Sequence, residues 1–180
     1  MPHILDYNYT ASDSQKALVS KKIREYYFKE SINLHDLITV CGDRHFKYES
    51  DAAAKLQAKS NKSPVYFYIL EYRGQHSISE LFLHSNDNLG ASHADDALYY
   101  LSTFIADEQL TEEDENMKTI FMQWILSFAD TNEPKIDGVS WRPVKGEGAL
   151  DVLHILNPEE ITMVSKEDLG SRSFWSKLPL

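Results

Sequence analysis

Apolar residues recur at helical spacing in the first third of the chain. One such face follows the cap-forming residues Ser12 to Ser14 and carries Leu18, Val19, Ile23, Tyr26 and Tyr27. A second helical region begins near Ser31, is interrupted at Gly42-Asp43, and resumes over residues 52–59, where strong helix formers predominate. The pattern therefore predicts two helical regions with a break at the glycine.

The most regular helical pattern lies later in the chain. Thr111 and Asp114 form a pair that resembles a capping box. The apolar positions that follow, at intervals of three and four, are Met117, Ile120, Phe121, Trp124, Ile125 and Phe128. The segment Asn132-Glu133-Pro134 ends the pattern, so a helix over Thr111–Asn132 is predicted to pack on a sheet.

Three segments have strand character. Val65–Tyr72 is β-branched and aromatic on both faces, which is typical of a central strand covered by helices on both sides. Val139–Val144 and Leu150–Leu156 are predicted as two further short strands. Phe174-Trp175 near the end of the chain is predicted to dock on the core. The result is a mixed α/β chain of one domain with few strands for a sheet buried on both faces.

Composition restricts the function classes. The 180 residues carry a net charge of −10, which argues against a nucleic-acid partner because phosphate binding needs a concentrated basic face. We expect no membrane span, because no apolar run approaches the roughly 18–20 residues that one requires. The first ten residues lack the basic and apolar regions of a signal peptide.

Cys41 is the single cysteine, which excludes an intrachain disulfide and a cysteine-based zinc cluster. Its apolar neighbours predict a buried, inert thiol. Asn8-Tyr9-Thr10 and Asn61-Lys62-Ser63 match the acceptor pattern for N-glycosylation, a pattern that also arises by chance.

The stretch Leu89–Phe104 places a histidine and two aspartates directly before an apolar block, and three interpretations are open. His93, Asp95 and Asp96 lack the i, i+4 spacing of a helical zinc site, which disfavours a metal. Alternatively, Ser92 caps a helix whose inward side chains are Ala97, Leu98, Tyr99, Leu101 and Phe104. In the third interpretation His93 is a general base in a loop beyond a strand end, as in α/β-hydrolases.

Gly90–Leu101 resembles the "G-x-x-H-x-D-D-L-x-Y-L-F" segment around the catalytic histidine of type-B carboxylesterases, and is most similar to insect and juvenile hormone esterases. Further segments resemble the family in the same order, namely Ile23–Phe28, Leu37–Phe46, Pro64–Tyr72, Met117–Pro134 and Trp141-Arg142-Pro143. The resemblance implies the C-terminal part of an α/β-hydrolase fold over residues 1–180, with His93 as the catalytic histidine. Asp95 and Asp96 are then expected to hold the turn after His93.

The sequence departs from the family in one decisive respect. It contains no G-x-S-x-G nucleophile elbow and no Gly-Gly oxyanion segment, and the triad glutamate has no counterpart. Ala97 also replaces the usual leucine. Of the serine-histidine-glutamate triad, only His93 can therefore be assigned, and the isolated chain is expected to be inactive.

Two function classes remain open. One is a carboxylic ester hydrolase that acts on a small-molecule ester only together with an N-terminal part, without a cofactor or metal. The alternative is a non-catalytic, cholinesterase-like adhesion or interaction module. The family implies secretion to the extracellular space as a glycoprotein. The ester, the oligomeric state, and whether the chain is a natural truncation are not encoded in these residues.

Overall fold

The computed structural model describes residues 1–29, 31–101 and 110–180, and the chain divides into two compact units. The first unit comprises residues 1–62, 145–150 and 166–180. The second comprises residues 63–144 and 151–165. The inward position predicted for Phe104 lies outside the described residues.

The first unit is built mainly from helices. They are α1 (Asp13–Tyr27), α2 (Leu34–Gly42), α3 (Tyr48–Ser60) and α6 (Arg172–Trp175). Ser12 and Gln15 form a capping box at the start of α1, and Asn33 caps α2. The buried core contains Leu5, Tyr7, Ala11, Val19, Ile23, Phe28, Val40, Trp175 and Leu178. The predicted docking of Phe174-Trp175 is confirmed, since Trp175 is buried and Phe174 stacks on Tyr26 with 4.1 Å between ring centroids.

The predicted break at Gly42-Asp43 is wrong. Gly42 has helical backbone angles, and the π-helical segment Asp43–Lys47 connects α2 directly to α3. The buried carboxylate of Asp43 accepts hydrogen bonds from Tyr27 Oη at 3.0 Å and Ser171 Oγ at 2.9 Å, so its polar group is satisfied inside the helical run. Cys41 is only partly buried, and this burial raises the pKa of its thiol.

The second unit contains a three-stranded sheet in the order β1-β2-β3. Its strands are β1 (Tyr68–Leu70), β2 (Leu150–Asn157) and β3 (Glu160–Lys166). β1 runs parallel to β2, with Tyr68 opposite Leu153 and Leu70 opposite Ile155. Pro158-Glu159 joins β2 to β3, and so short a connection permits only an antiparallel hairpin.

The predicted strand over Val65–Tyr72 is shorter than expected and lies at one edge of this sheet, whereas β2 is central. Hydrogen bonds nevertheless extend the pairing beyond β1, from Leu153 N–H to Phe67 O (2.9 Å) and from Glu71 N–H to Ile155 O (2.8 Å). Its side chains are mostly half-buried, and Tyr72 is buried.

Val139–Val144 is not a strand. It contributes an isolated bridge between Ile136 and Val139, and the N–H of Val144 donates to the carbonyl oxygen of Val65 at 2.7 Å. Pro143 within this segment has no N–H to donate to a ladder. The sequence pattern did not identify β3.

One long connection contains two short helical elements. The short helix α4 (Glu80–Leu83) and a 3₁₀ turn (Asp95–Tyr99) lie between β1 and α5 (Glu112–Thr131). The capping box of Thr111 and Asp114 at the start of α5 is confirmed. Side chains of α5 and the sheet share a buried core of Tyr72, Tyr99, Met117, Phe121, Ile136, Leu153 and Ile155. None of the helices in the described ranges is long and apolar enough to cross a membrane.

Candidate functional site

His93 lies in a tight turn in the connection that follows the carboxyl end of β1. The N–H of Asp95 donates to the carbonyl oxygen of Ser92 at 3.1 Å, which leaves His93 and Ala94 at the two central positions. Ala94 has φ = 71° and ψ = 9°, the backbone conformation of the third residue of a type II turn. The side chain of His93 is exposed. The turn therefore presents the imidazole to solvent.

Ser92 does not act as the predicted helix cap. The 3₁₀ turn starts after Ala94 and has no side-chain cap, and the N–H of Ser92 donates to Asp95 Oδ2 at 2.7 Å. Leu98 and Tyr99 pack inward as predicted, but Leu101 is 55% exposed.

The left-handed backbone conformation of Ala94 costs on the order of 1 kcal/mol or more in conformational free energy, and it persists only where the surroundings fix it.

The carboxylate of Asp95 is the main constraint on this turn. It is buried and accepts hydrogen bonds from Ser77 Oγ at 2.9 and 3.0 Å and from the N–H of Ile78 at 2.7 Å, in addition to the N–H of Ser92. These contacts join the segment directly after β1 to the residue that precedes His93. Asp95 thus holds the turn by hydrogen bonds both to the segment after β1 and to Ser92 within the turn.

Asp96 is also engaged within the fold. Its Oδ2 accepts a short hydrogen bond of 2.5 Å from Tyr68 Oη of β1, and its Oδ1 accepts the N–H of Ala97. Burial raises the pKa of Tyr68, and the neighbouring Asp96 raises it further. The tyrosine consequently stays protonated and acts as a donor. Asp96 links the 3₁₀ turn to β1.

A third carboxylate, Asp114, joins α5 to the end of the strand region. It accepts from Thr111 Oγ1 at 2.6 Å, from Tyr72 Oη at 3.0 Å and from the N–H of Gln75 at 3.3 Å. Burial alone would raise the pKa of Asp114, but these hydrogen bonds together outweigh burial and hold the pKa below its usual value of 3.8. Gly74 lies so close that an added Cβ would be 2.0 Å from Asp114 Oδ1.

Charged side chains order the rest of the connection. Glu80 Oε1 accepts the N–H of Ser77 at 2.8 Å and pairs with Arg73 at 3.4 Å, and Glu80 Oε2 lies 3.4 Å from His76 Nδ1. Arg73 also donates to Asn86. Sequence reasoning missed Ser77 and Glu80, because polar residues in a long connection carry no periodic signal.

The metal interpretation gains no support from this geometry. Within the three described ranges, no group of three or more histidine, cysteine, aspartate or glutamate side chains is arranged to hold a metal ion. Asp95 and Asp96 instead accept hydrogen bonds from serine, tyrosine and backbone donors.

Comparison with known proteins identifies the family. The model of the carboxylesterase family matches residues 3–174. The chain belongs to the carboxylesterase family. Relatives of this chain include a carboxylic ester hydrolase from Bombus ignitus, 37% identical, and venom carboxylesterase-6 from Apis mellifera, 34% identical. The alignments cover 98% and 99% of this chain but 33% of each relative, so the chain spans about a third of their length.

A solved structure supports the same assignment. The chain is similar to the crystal structure of juvenile hormone esterase from Manduca sexta with OTFP covalently attached, with a TM-score of 0.73 and 25% identity. The match covers 98% of this chain and 35% of that chain. This carboxylesterase-family chain therefore adopts part of the α/β-hydrolase fold, as the sequence resemblance implied.

Proposed function

We propose that this chain is the C-terminal part of a carboxylic ester hydrolase and that His93 is its catalytic histidine. The supporting observation is the position of His93, which lies in a fastened turn after the carboxyl end of a parallel strand, in a chain of the carboxylesterase family. In open α/β sheets, ligands bind outside the carboxyl ends of the strands. An exposed imidazole at this position is suited to proton transfer.

In the proposed reaction His93 acts as general base and then as general acid. Its Nε2 takes the proton from a serine hydroxyl as the serine attacks the ester carbonyl, and returns the proton to the leaving alcohol. Its Nδ1–H faces a glutamate carboxylate, which stabilises the imidazolium. We assign the serine, the glutamate and the oxyanion donors to a part of the protein outside these 180 residues.

The neighbouring aspartates are better suited to structural roles than to that of the triad acid. Asp95 accepts hydrogen bonds from Ser77, Ile78 and Ser92, and Asp96 accepts one from the hydroxyl of Tyr68. Carboxylates that are tied to the fold in this way are better suited to hold the turn than to serve as the triad acid. Their contacts favour an acid supplied from elsewhere.

The substrate class that follows is a small-molecule carboxylic ester, in agreement with the names of the relatives. We also infer that the whole protein is a secreted serine esterase and a glycoprotein. Asn61 is exposed directly after α3, Asn8 is half-buried within a turn, and both belong to acceptor tripeptides.

The test joins this chain to the upstream two thirds of venom carboxylesterase-6 and measures hydrolysis of a nitrophenyl ester. We expect His93→Ala to lower kcat by about 10⁴–10⁶-fold, because triad members act as a unit. His84→Ala, which removes another exposed histidine, is the matched control and should leave kcat nearly unchanged. A near-normal rate for His93→Ala in an active parent would refute the assignment.

The isolated chain provides a second test. It should hydrolyse nitrophenyl acetate no faster than free imidazole, because the removal of each oxyanion donor alone costs roughly 3–4 kcal/mol of transition-state stabilisation. Turnover above that background, lost on His93→Ala, would show that the chain needs no serine from elsewhere.

A further inference from the structure

Ser77 is the centre of a buried hydrogen-bond network, although nothing in its sequence context marks it. Its side chain is fully buried, and its hydroxyl donates to the carboxylate of Asp95. The same oxygen accepts the N–H of Ser79 at 3.1 Å. The backbone N–H of Ser77 donates to Glu80, which is itself paired with Arg73. Hydrogen bonds therefore hold both the side chain and the backbone of Ser77 in place.

This network ends at the turn that carries His93. Asp95 accepts the hydroxyl of Ser77 and the N–H of Ser92, so one carboxylate bridges the segment after β1 and the residue before His93. Ala94 holds a left-handed conformation that glycine adopts at less cost, so contacts outside the turn must maintain it. The contacts of Asp95 provide that constraint.

We propose that Ser77 is a positioning residue for His93 and acts through Asp95. The inference rests on the proposed function, since it assigns a role in the same reaction. Proton transfer between an imidazole and a hydroxyl requires hydrogen-bond distance, and a displacement of about 1 Å can cost up to 10²-fold in rate. The hydroxyl of Ser77 limits such displacement because it orients the carboxylate that fastens the turn. Ser77 itself need not touch the ester.

The experiment uses the same joined protein and the variant Ser77→Ala. We expect kcat to fall by about 10–100-fold while KM stays within about twofold, because substrate binding is not altered by a misplaced base. Hydrogen exchange of a peptide spanning residues 91–97 should become faster, since Asp95 then holds Ser92 less firmly.

Two controls separate positioning from loss of stability. Ser85→Ala removes a serine of the same connection whose hydroxyl accepts the N–H of Asp87 and is not bonded to Asp95. Ile155→Val removes a methyl group from the buried core at β2 and should cause a moderate loss of stability. It therefore shows what such a loss alone does to kcat. Both variants should retain the parent kcat and the parent exchange at residues 91–97.

The possible results are distinct. The proposal is overturned if kcat for Ser77→Ala matches that for Ser85→Ala, if Ile155→Val loses as much kcat, or if exchange at residues 91–97 is unchanged. An active parent that is indifferent to His93→Ala instead refutes the proposed function, and the role of Ser77 falls with it. Loss of kcat with constant KM, restricted to Ser77→Ala, supports the proposal.

Discussion

Neutral donors hold the carboxylates around the candidate site. Asp95 is bound by the hydroxyl of Ser77, Asp96 by that of Tyr68, and Asp114 by those of Thr111 and Tyr72. Hydrogen bonds to a charged acceptor stabilise by about 1.5–3 kcal/mol, roughly twice the value for neutral pairs. These aspartates therefore connect the strand region, the 3₁₀ turn and α5.

Gly74 makes the contact with Asp114 possible, and Gly74→Ala should be strongly destabilising. A Cβ at this position would lie 2.0 Å from Asp114 Oδ1 and 2.5 Å from Tyr99 Oη, so the buried network must move apart. We expect a loss of about 2–4 kcal/mol in the free energy of unfolding of the joined protein, measured by urea denaturation.

The control for this prediction is Gly42→Ala. Gly42 has helical backbone angles, and nothing lies within 4 Å of an added Cβ. The substitution should stabilise by about 0.5–1 kcal/mol, because alanine loses less conformational freedom on folding. Equal effects of the two substitutions would contradict the steric explanation for Gly74.

At the scale of single elements, the N-terminus of α5 should make stability depend on acid pH. The pKa of Asp114 is lowered in the folded state, so its contribution is complete above the unfolded value and is lost as pH falls through the folded value. The free energy of unfolding of the joined protein should therefore decline as pH falls below about 5 and continue to decline below about 3.8.

Asp114→Asn tests this assignment. The variant should be less stable at pH 7 and should show a shallower decline towards acid pH, because the titrating carboxylate is gone. Glu112→Gln, an exposed position in the same helical turn, should keep the parent slope. Parallel pH profiles for the parent and Asp114→Asn would mean that other groups cause the acid sensitivity.

The elements also show which parts of the structure the sequence encodes locally. α1 and α5 were predictable, since each combines a capping box with a periodic apolar face. β3 was not, because an edge strand of mixed polarity has a weak alternating pattern. The helix across Gly42 was missed because the hydrogen bonds to Asp43 that satisfy it come from residues distant in sequence.

The candidate site likewise contains residues that the sequence indicated and one that it did not. Resemblance to a known segment pointed to His93 and to the turn-holding role of Asp95 and Asp96. Ser77 had no such signal, because its role arises only when the connection folds back and places its hydroxyl 2.9 Å from Asp95. Contacts between residues 18 positions apart are set by the fold and not by local spacing.

At the scale of the whole molecule, the described chain exposes many large apolar side chains. Phe82 is 78% exposed, Leu56 66%, Leu126 60% and Leu34 58%. Scattered exposed residues of this kind are ordinary, but extensive apolar surface marks an interaction site or an aggregation hazard. A chain that spans about a third of its relatives is expected to leave such surface uncovered.

We therefore expect the isolated chain to self-associate and to unfold with low cooperativity. β1 lies at one edge of the sheet and β3 at the other, and uncovered strand edges add directly to the tendency of apolar surface to associate. Sedimentation velocity should show a mass that rises with concentration, and urea should produce a broad transition. The joined protein described above is the control and should sediment as a single species with a steeper transition. A concentration-independent monomer with cooperative unfolding would show that this surface is stable without a covering partner.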